Sequence, residues 1–111
     1  MTVSTHVLDA AVGKPAAGVP VSLSSLDSSL GWRTVESGET DADGRHRFEV
    51  STGPGVYRLV FGTGAYFAVR GVAAFYPEVT ITFTIAASDS GGHYHVPLLL
   101  SPFAYSTYRG S

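Results

Sequence analysis

Val79-Thr80-Ile81-Thr82-Phe83-Thr84-Ile85 alternates without a break. Successive strand side chains point to opposite faces, so Val79, Ile81, Phe83 and Ile85 share one face and the three threonines the other. Such a stretch is a half-buried strand of β-branched and aromatic residues. Working outward, Tyr57, Leu59 and Phe61 share a face opposite Val56, Arg58 and Val60, which predicts a strand covered on both sides. In Val19 to Leu26, Val19, Val21 and Leu23 oppose Pro20 and Ser22, and Pro20 marks an edge or a strand end. Trp32 to Glu36 and His46 to Val50 read as shorter strands. Thr40-Asp41-Ala42-Asp43-Gly44 supplies turn chemistry, and Gly53-Pro54-Gly55 is a second break. Thr63 to Arg70 predicts the one helix, with Thr63 as its cap, Tyr66 and Arg70 four apart and Gly71 as its stop. Phe75-Tyr76-Pro77 closes the connection to the next strand. The pattern is all-β: a two-sheet sandwich of short strands with one short helix, in a single domain over residues 1–111. Fold class of this kind does not fix function, because sandwiches host unrelated activities.

The composition narrows the classes. The chain is 44% hydrophobic and only 14% charged, where about a quarter charged is usual. That balance predicts oligomerisation, with apolar surface covered by further copies. A formal net charge of -2 without a basic cluster argues against nucleic acid or an anionic membrane as partner. With no cysteine, neither disulfides nor thiolate chemistry contributes. Met1-Thr2-Val3-Ser4-Thr5-His6 is not a basic segment leading into an apolar run, and no stretch is long enough to span a bilayer. The expectation is a soluble cytoplasmic protein.

The titratable residues that draw attention are the four histidines and two arginines. His6 alternates with Ser4 and Leu8 on one face of a first strand, against Val3, Thr5 and Val7. His93 and His95 share a face if that segment is extended, roughly 6–7 Å apart, with Tyr94 and Val96 facing the core. Three readings of this pair stay open: an exposed polar face, two metal ligands, or a general base and a neighbour that tunes it. Zinc wants three or four protein ligands, and His6 is the one further donor on offer, so no metal is assigned. Arg45 follows the Asp43-Gly44 turn as a fork of donors for an oxygen, and His46 beside it points to the opposite face. The terminal Tyr105-Ser106-Thr107-Tyr108-Arg109-Gly110-Ser111 is either frayed or tied down beside a site. Ser22, Ser24 and Ser101 lack a nucleophile elbow, and there is no phosphate loop or H-E-x-x-H helix. Asp41, Asp43 and Gly44 make a fragment of a calcium loop whose other ligands are missing.

Four separated segments resemble the transthyretin-like 5-hydroxyisourate hydrolases: Ser4-Thr5-His6-Val7-Leu8-Asp9 with Gly13-Lys14-Pro15-Ala16; Thr40-Asp41-Ala42-Asp43-Gly44-Arg45; His93-Tyr94-His95-Val96-Pro97-Leu98-Leu99-Leu100-Ser101-Pro102; and Tyr108-Arg109-Gly110-Ser111. The resemblance spans nearly the whole chain with order and spacing intact. It implies two four-stranded sheets and a short helix, and a homotetramer with active sites in a channel between dimers. It also implies hydrolysis of 5-hydroxyisourate without metal or organic cofactor. By motif position, His6, Arg45 and His95 are the implied catalytic residues. Tyr108, Arg109, Gly110 and Ser111 line the implied site, and His93 supports His95. Either His95 or His6 is the general base. Transthyretin itself lacks the late histidine block and the terminal tetrapeptide, which sets a channel-binding carrier behind the enzyme. An adhesive sandwich module and a histidine metal site are the remaining alternatives.

Overall fold

The N-terminal strand β1 (Thr2–Asp9) pairs on both sides and carries much of the architecture. One edge runs parallel to β8 (His93–Leu100), in register from Thr2 opposite His93 to Asp9 opposite Leu100. The other edge is shared by β5 (Arg45–Glu49) and the two-residue β2 (Lys14–Pro15). β9 (Tyr105–Thr107) adds to the far side of β8. The second sheet has the order β4 (Gly31–Glu39), β3 (Pro20–Asp27), β6 (Gly55–Phe61), β7 (Val79–Ile85). These assignments come from a computed structural model that describes residues 1–89 and 92–111. The sheets are therefore five- and four-stranded among the described residues. The fifth strand in the first sheet is the short β2, which takes the half of the β1 edge that β5 leaves open.

The core lies between the sheets. Val3, Val7, Phe48, Leu98 and Leu100 face Val21, Leu23, Tyr57, Leu59, Phe61, Val79 and Ile85, and burying such side chains stabilises by roughly 1.5–3 kcal/mol each. The stretch Val79–Ile85 behaves as its alternation requires, with Val79 and Ile85 buried and the threonines exposed. β6 lies between β3 and β7, and Val56, Arg58 and Val60 on its outer face are half-buried. Pro20 opens β3, where a missing N–H costs least.

The helix α1 (Thr63–Val69) matches the expected segment, but its start differs. Gly62 is the N-cap and Thr63 lies inside, buried, with a hydroxyl that has no partner among the described residues. Pro77 explains the difference, because its carbonyl accepts from Gly64 N at 3.0 Å and serves an N–H a capping side chain would otherwise take. Gly71, at φ 69°, ends the helix as expected. Arg70 turns back over the Tyr66 ring, 3.7 Å from its centroid.

Two turns hold the site in place. Asp41 Oδ1 accepts from Asp43 N and Arg45 N at 2.9 and 3.0 Å, so its carboxylate closes the turn that launches β5. These bonds hold the Asp41 carboxyl below its ordinary value, the Arg45 N–H first among them. Gly44 has φ 78° and its carbonyl accepts from Val7 N at 2.7 Å, fixing β5 against β1.

Candidate functional site

The registers of three strands build one polar face. Along β1 the outward residues are Thr2, Ser4 and His6. Their partners in β8 are His93, His95 and Pro97, and in β5 Glu49, Arg47 and Arg45. The result is a three-by-three patch: Glu49–Thr2–His93, Arg47–Ser4–His95, Arg45–His6–Pro97. Alternation alone puts these nine residues on one side of the sheet, while Val3, Thr5, Tyr94 and Val96 turn inward. The face opens as a cleft of about 340 Å³ lined by Ser4, Arg45, Arg47, His93, His95 and Ser111, among others. His6 stands at the next register position, opposite Arg45.

The histidine rings are held by hydroxyls. Ser4 Oγ lies 2.8 Å from His95 Nδ1 and 3.1 Å from His93 Nε2, and Thr2 Oγ1 bonds His93 Nδ1. The two imidazoles are nearly parallel, their centroids 6.5 Å apart. Gly110 closes the other side of His95. Its N–H donates to His95 O at 2.8 Å, and a Cβ built on Gly110 would fall 2.5 Å from His95 Cδ2. Ser4 thus holds the Nδ1 edge and Gly110 lies along the Cδ2 edge. Partial burial pushes the His95 pKa down, and the neighbouring His93, His6 and Arg45 add to it. The imidazole is kept in the neutral form a base requires.

The other expected residues are placed as follows. Arg45 and His6 are side by side on the patch, and His46 turns away from them. The His46 ring packs edge-on against Phe48, with centroids 4.5 Å apart, and Nδ1 lies 3.2 Å from Glu39 O in the opposite sheet. At the C-terminal end the residues separate. Gly110 and Ser111 reach the histidine cleft. Arg109 turns to the other side, its guanidinium 4.6 Å from the Tyr94 ring centroid and 3.9 Å from Asp89 Oδ2. Tyr108 is 58% exposed and borders a second cleft of about 240 Å³ between the sheets, with Arg109, Tyr94 and Phe83. Gly110 is held by its bridge to His95, and the Arg109 side chain before it lies over the Tyr94 ring on the other face of β8. Among the described residues, no group of three or more histidine, aspartate or glutamate side chains is arranged to hold a metal ion.

Ser4, Thr2 and Arg47 belong to the patch although sequence reasoning did not single them out. Ser4 is two residues from His6 and Arg47 two from Arg45, which is the same-face spacing of a strand. The signal was present, but pairing β1 with both β5 and β8 was needed to give it meaning.

Comparison with known proteins agrees with this architecture. The profile of the HIUase/Transthyretin family matches residues 3–110. A 5-hydroxyisourate hydrolase of Salmonella dublin is 46% identical over 97% of this chain and 79% of its own length. The structure of Klebsiella pneumoniae 5-hydroxyisourate hydrolase superposes with a TM-score of 0.86 at 40% identity, covering all of both chains. Sea bream transthyretin in complex with thyroxine superposes with a TM-score of 0.89 at 32% identity, over 97% of this chain and 93% of its own. On sequence and architecture alike, this chain belongs to the HIUase/Transthyretin family.

Proposed function

We propose that this chain is an enzyme that hydrolyses 5-hydroxyisourate, adding water to a ring carbonyl and breaking the adjacent C–N bond to give 2-oxo-4-hydroxy-4-carboxy-5-ureidoimidazoline. The observation that carries the reading is His95: a neutral imidazole fixed by Ser4 and Gly110, opening on a cleft flanked by His6 and Arg45. Hydrolase relatives at 46% and 40% identity favour the same activity.

Each residue has a part. His95 Nε2 takes a proton from water as it attacks. The carbonyl oxygen gains negative charge, which Arg45 offsets with a fixed cation. The C–N bond then breaks and the leaving nitrogen takes a proton, supplied by His6 or by His95 in its protonated form. A positioned acid–base group supplies about 10²- to 10⁴-fold, and the substrate also decays unaided. Gly110 and Ser111 shape the wall beside His95. Arg109 and Tyr108 serve the substrate only from the edge of the second cleft, or after assembly with other copies. The reading includes a homotetramer in which histidine faces line a channel between dimers. Exposed Phe75, Phe103 and Val69, with relative exposures of 69%, 68% and 84%, provide apolar surface for such contacts. No helix among the described residues is long and apolar enough to cross a membrane, and the working location is the cytoplasm.

The test is the absorbance decay of freshly generated 5-hydroxyisourate with and without the protein. Acceleration that disappears in His95→Ala supports the reading. Decay at the spontaneous rate with the folded protein overturns it. It would then favour the carrier reading that the likeness to thyroxine-bound transthyretin motivates.

A further inference from the structure

Ser4 is placed where one hydroxyl proton can serve either of two rings. A serine hydroxyl has a single hydrogen to donate, and its oxygen accepts. Ser4 Oγ lies between His95 Nδ1 at 2.8 Å and His93 Nε2 at 3.1 Å. If it donates to one, it accepts from the other. The two tautomers are therefore linked, and Thr2 Oγ1 at His93 Nδ1 completes the chain.

We propose that Ser4 is a positioning residue that sets the tautomer of His95, and that His93 is the switch acting through it. This deepens the hydrolase reading and rests on it for the role of His95. In the active arrangement His95 Nδ1–H donates to Ser4 Oγ, Ser4 O–H donates to His93 Nε2, and His93 Nδ1–H donates to Thr2 Oγ1. His95 Nε2 is then bare and faces the cleft as a base. When His93 gains a proton, both its nitrogens carry hydrogen, so Nε2–H must donate to Ser4 Oγ. The Ser4 proton turns to His95 Nδ1, and the one hydrogen of neutral His95 moves to Nε2. The base is lost although His95 itself has taken no proton.

The charged and titratable groups around the pair come from every neighbouring segment. His6 belongs to β1, and β5 supplies Arg45 and the Arg47–Glu49 pair, whose atoms are 3.5 Å apart. Ser111 lines the cleft, and Arg109 with Asp89 lies on the other face of β8. Of these, Arg45 and His6 oppose protonation of His95. None of them bonds the Ser4 hydroxyl, which leaves the two imidazoles as its side-chain partners among the described residues.

The experiment is long-range ¹H–¹⁵N spectroscopy of the intact protein labelled at histidine, titrated through the His93 transition and paired with pH profiles of turnover. The expected result is a neutral His95 that changes from the Nδ1–H to the Nε2–H form as His93 is protonated. Ser4→Ala uncouples the rings and lowers kcat by about tenfold or more, with KM within about threefold. Ser4→Thr keeps a hydroxyl and restores kcat to within about threefold. His93→Leu abolishes the tautomer change, so that the acid limb of kcat/KM follows protonation of His95 alone. A His95 tautomer indifferent to His93 overturns the proposal. So does Ser4→Ala with the wild-type rate and pH profile. If Ser4→Ala does not fold, the wild-type spectra and Ser4→Thr decide. Absence of turnover in the wild type refutes the hydrolase reading alone, since the tautomer coupling is read without substrate.

Discussion

Gly110 lies so close to His95 that a single methyl group could not be accommodated between them: a Cβ would sit 2.5 Å from Cδ2 and 3.2 Å from Cγ. The glycine is required here by close approach and not by backbone conformation, since it is absent from the positive-φ residues. Gly110→Ala must push the imidazole off the position that Ser4 sets. Because displacements of about 1 Å can cost 10²-fold in rate, kcat is expected to fall by one to two orders of magnitude. Thermal stability should stay close to wild type, and a melting curve beside the kinetic assay separates the two.

The depressed His95 pKa also has a sign in stability. The folded protein releases the proton more readily than the unfolded chain, whose histidines titrate near 6.5. His95 is therefore neutral at pH 7, and its contribution is complete above about 6.5. Stability is lost as pH falls from there toward the folded value, since the unfolded state binds the extra proton. Denaturant melts at pH 7.5 and 5.5 should show a smaller difference in His95→Gln than in the wild type.

Asp9 is 3% exposed, and Tyr66 OH donates to its Oδ2 at 2.8 Å. Ala11 N donates to the other oxygen at 3.0 Å. Burial and this carboxylate both push the Tyr66 hydroxyl toward higher pKa, so it remains a donor throughout the useful pH range. Tyr66→Phe leaves a buried carboxylate oxygen unpartnered and should cost about 1–3 kcal/mol in urea unfolding. The effect on kcat should be small, because α1 lies apart from the histidine face.

His46 has a structural task that can be tested through the residue beneath it. A Cβ on Gly38 would lie 2.4 Å from His46 Cε1 and 2.7 Å from Nε2. Gly38→Ala overpacks this contact between the sheets and is expected to cost about 1–3 kcal/mol. His46→Ala in the same background should recover part of that loss, and a double-mutant cycle measures the coupling.

Strand identity was legible because alternation is local: Val79–Ile85, Tyr57–Phe61 and the His6 and His93–His95 faces all follow from a two-residue period. The union of His6, Arg45 and His95 needed the family resemblance, since residue spacing cannot say that β1 pairs with β5 on one edge and β8 on the other. Thr63 as a helix cap failed because the competing acceptor, Pro77 O, comes from a distant loop. The position of the Arg109 guanidinium over the Tyr94 ring was not legible either, because the terminal segment is not a regular strand. Pro97, lacking an N–H, leaves a gap between the β9 ladder and the Gly110 bridge, so the terminal segment is anchored at two separate points.

The parallel pairing of β1 with β8 joins residues 91 positions apart, Thr2 with His93 and Ser4 with His95. β1 therefore waits until β8 has been made before its polar face exists. Contacts of such separation slow folding, and until they form, β1 exposes an edge able to pair with other chains. Appearance of the Ser4–His95 contact would mark the end of folding. An unfinished polypeptide would be at once inactive and prone to aggregate.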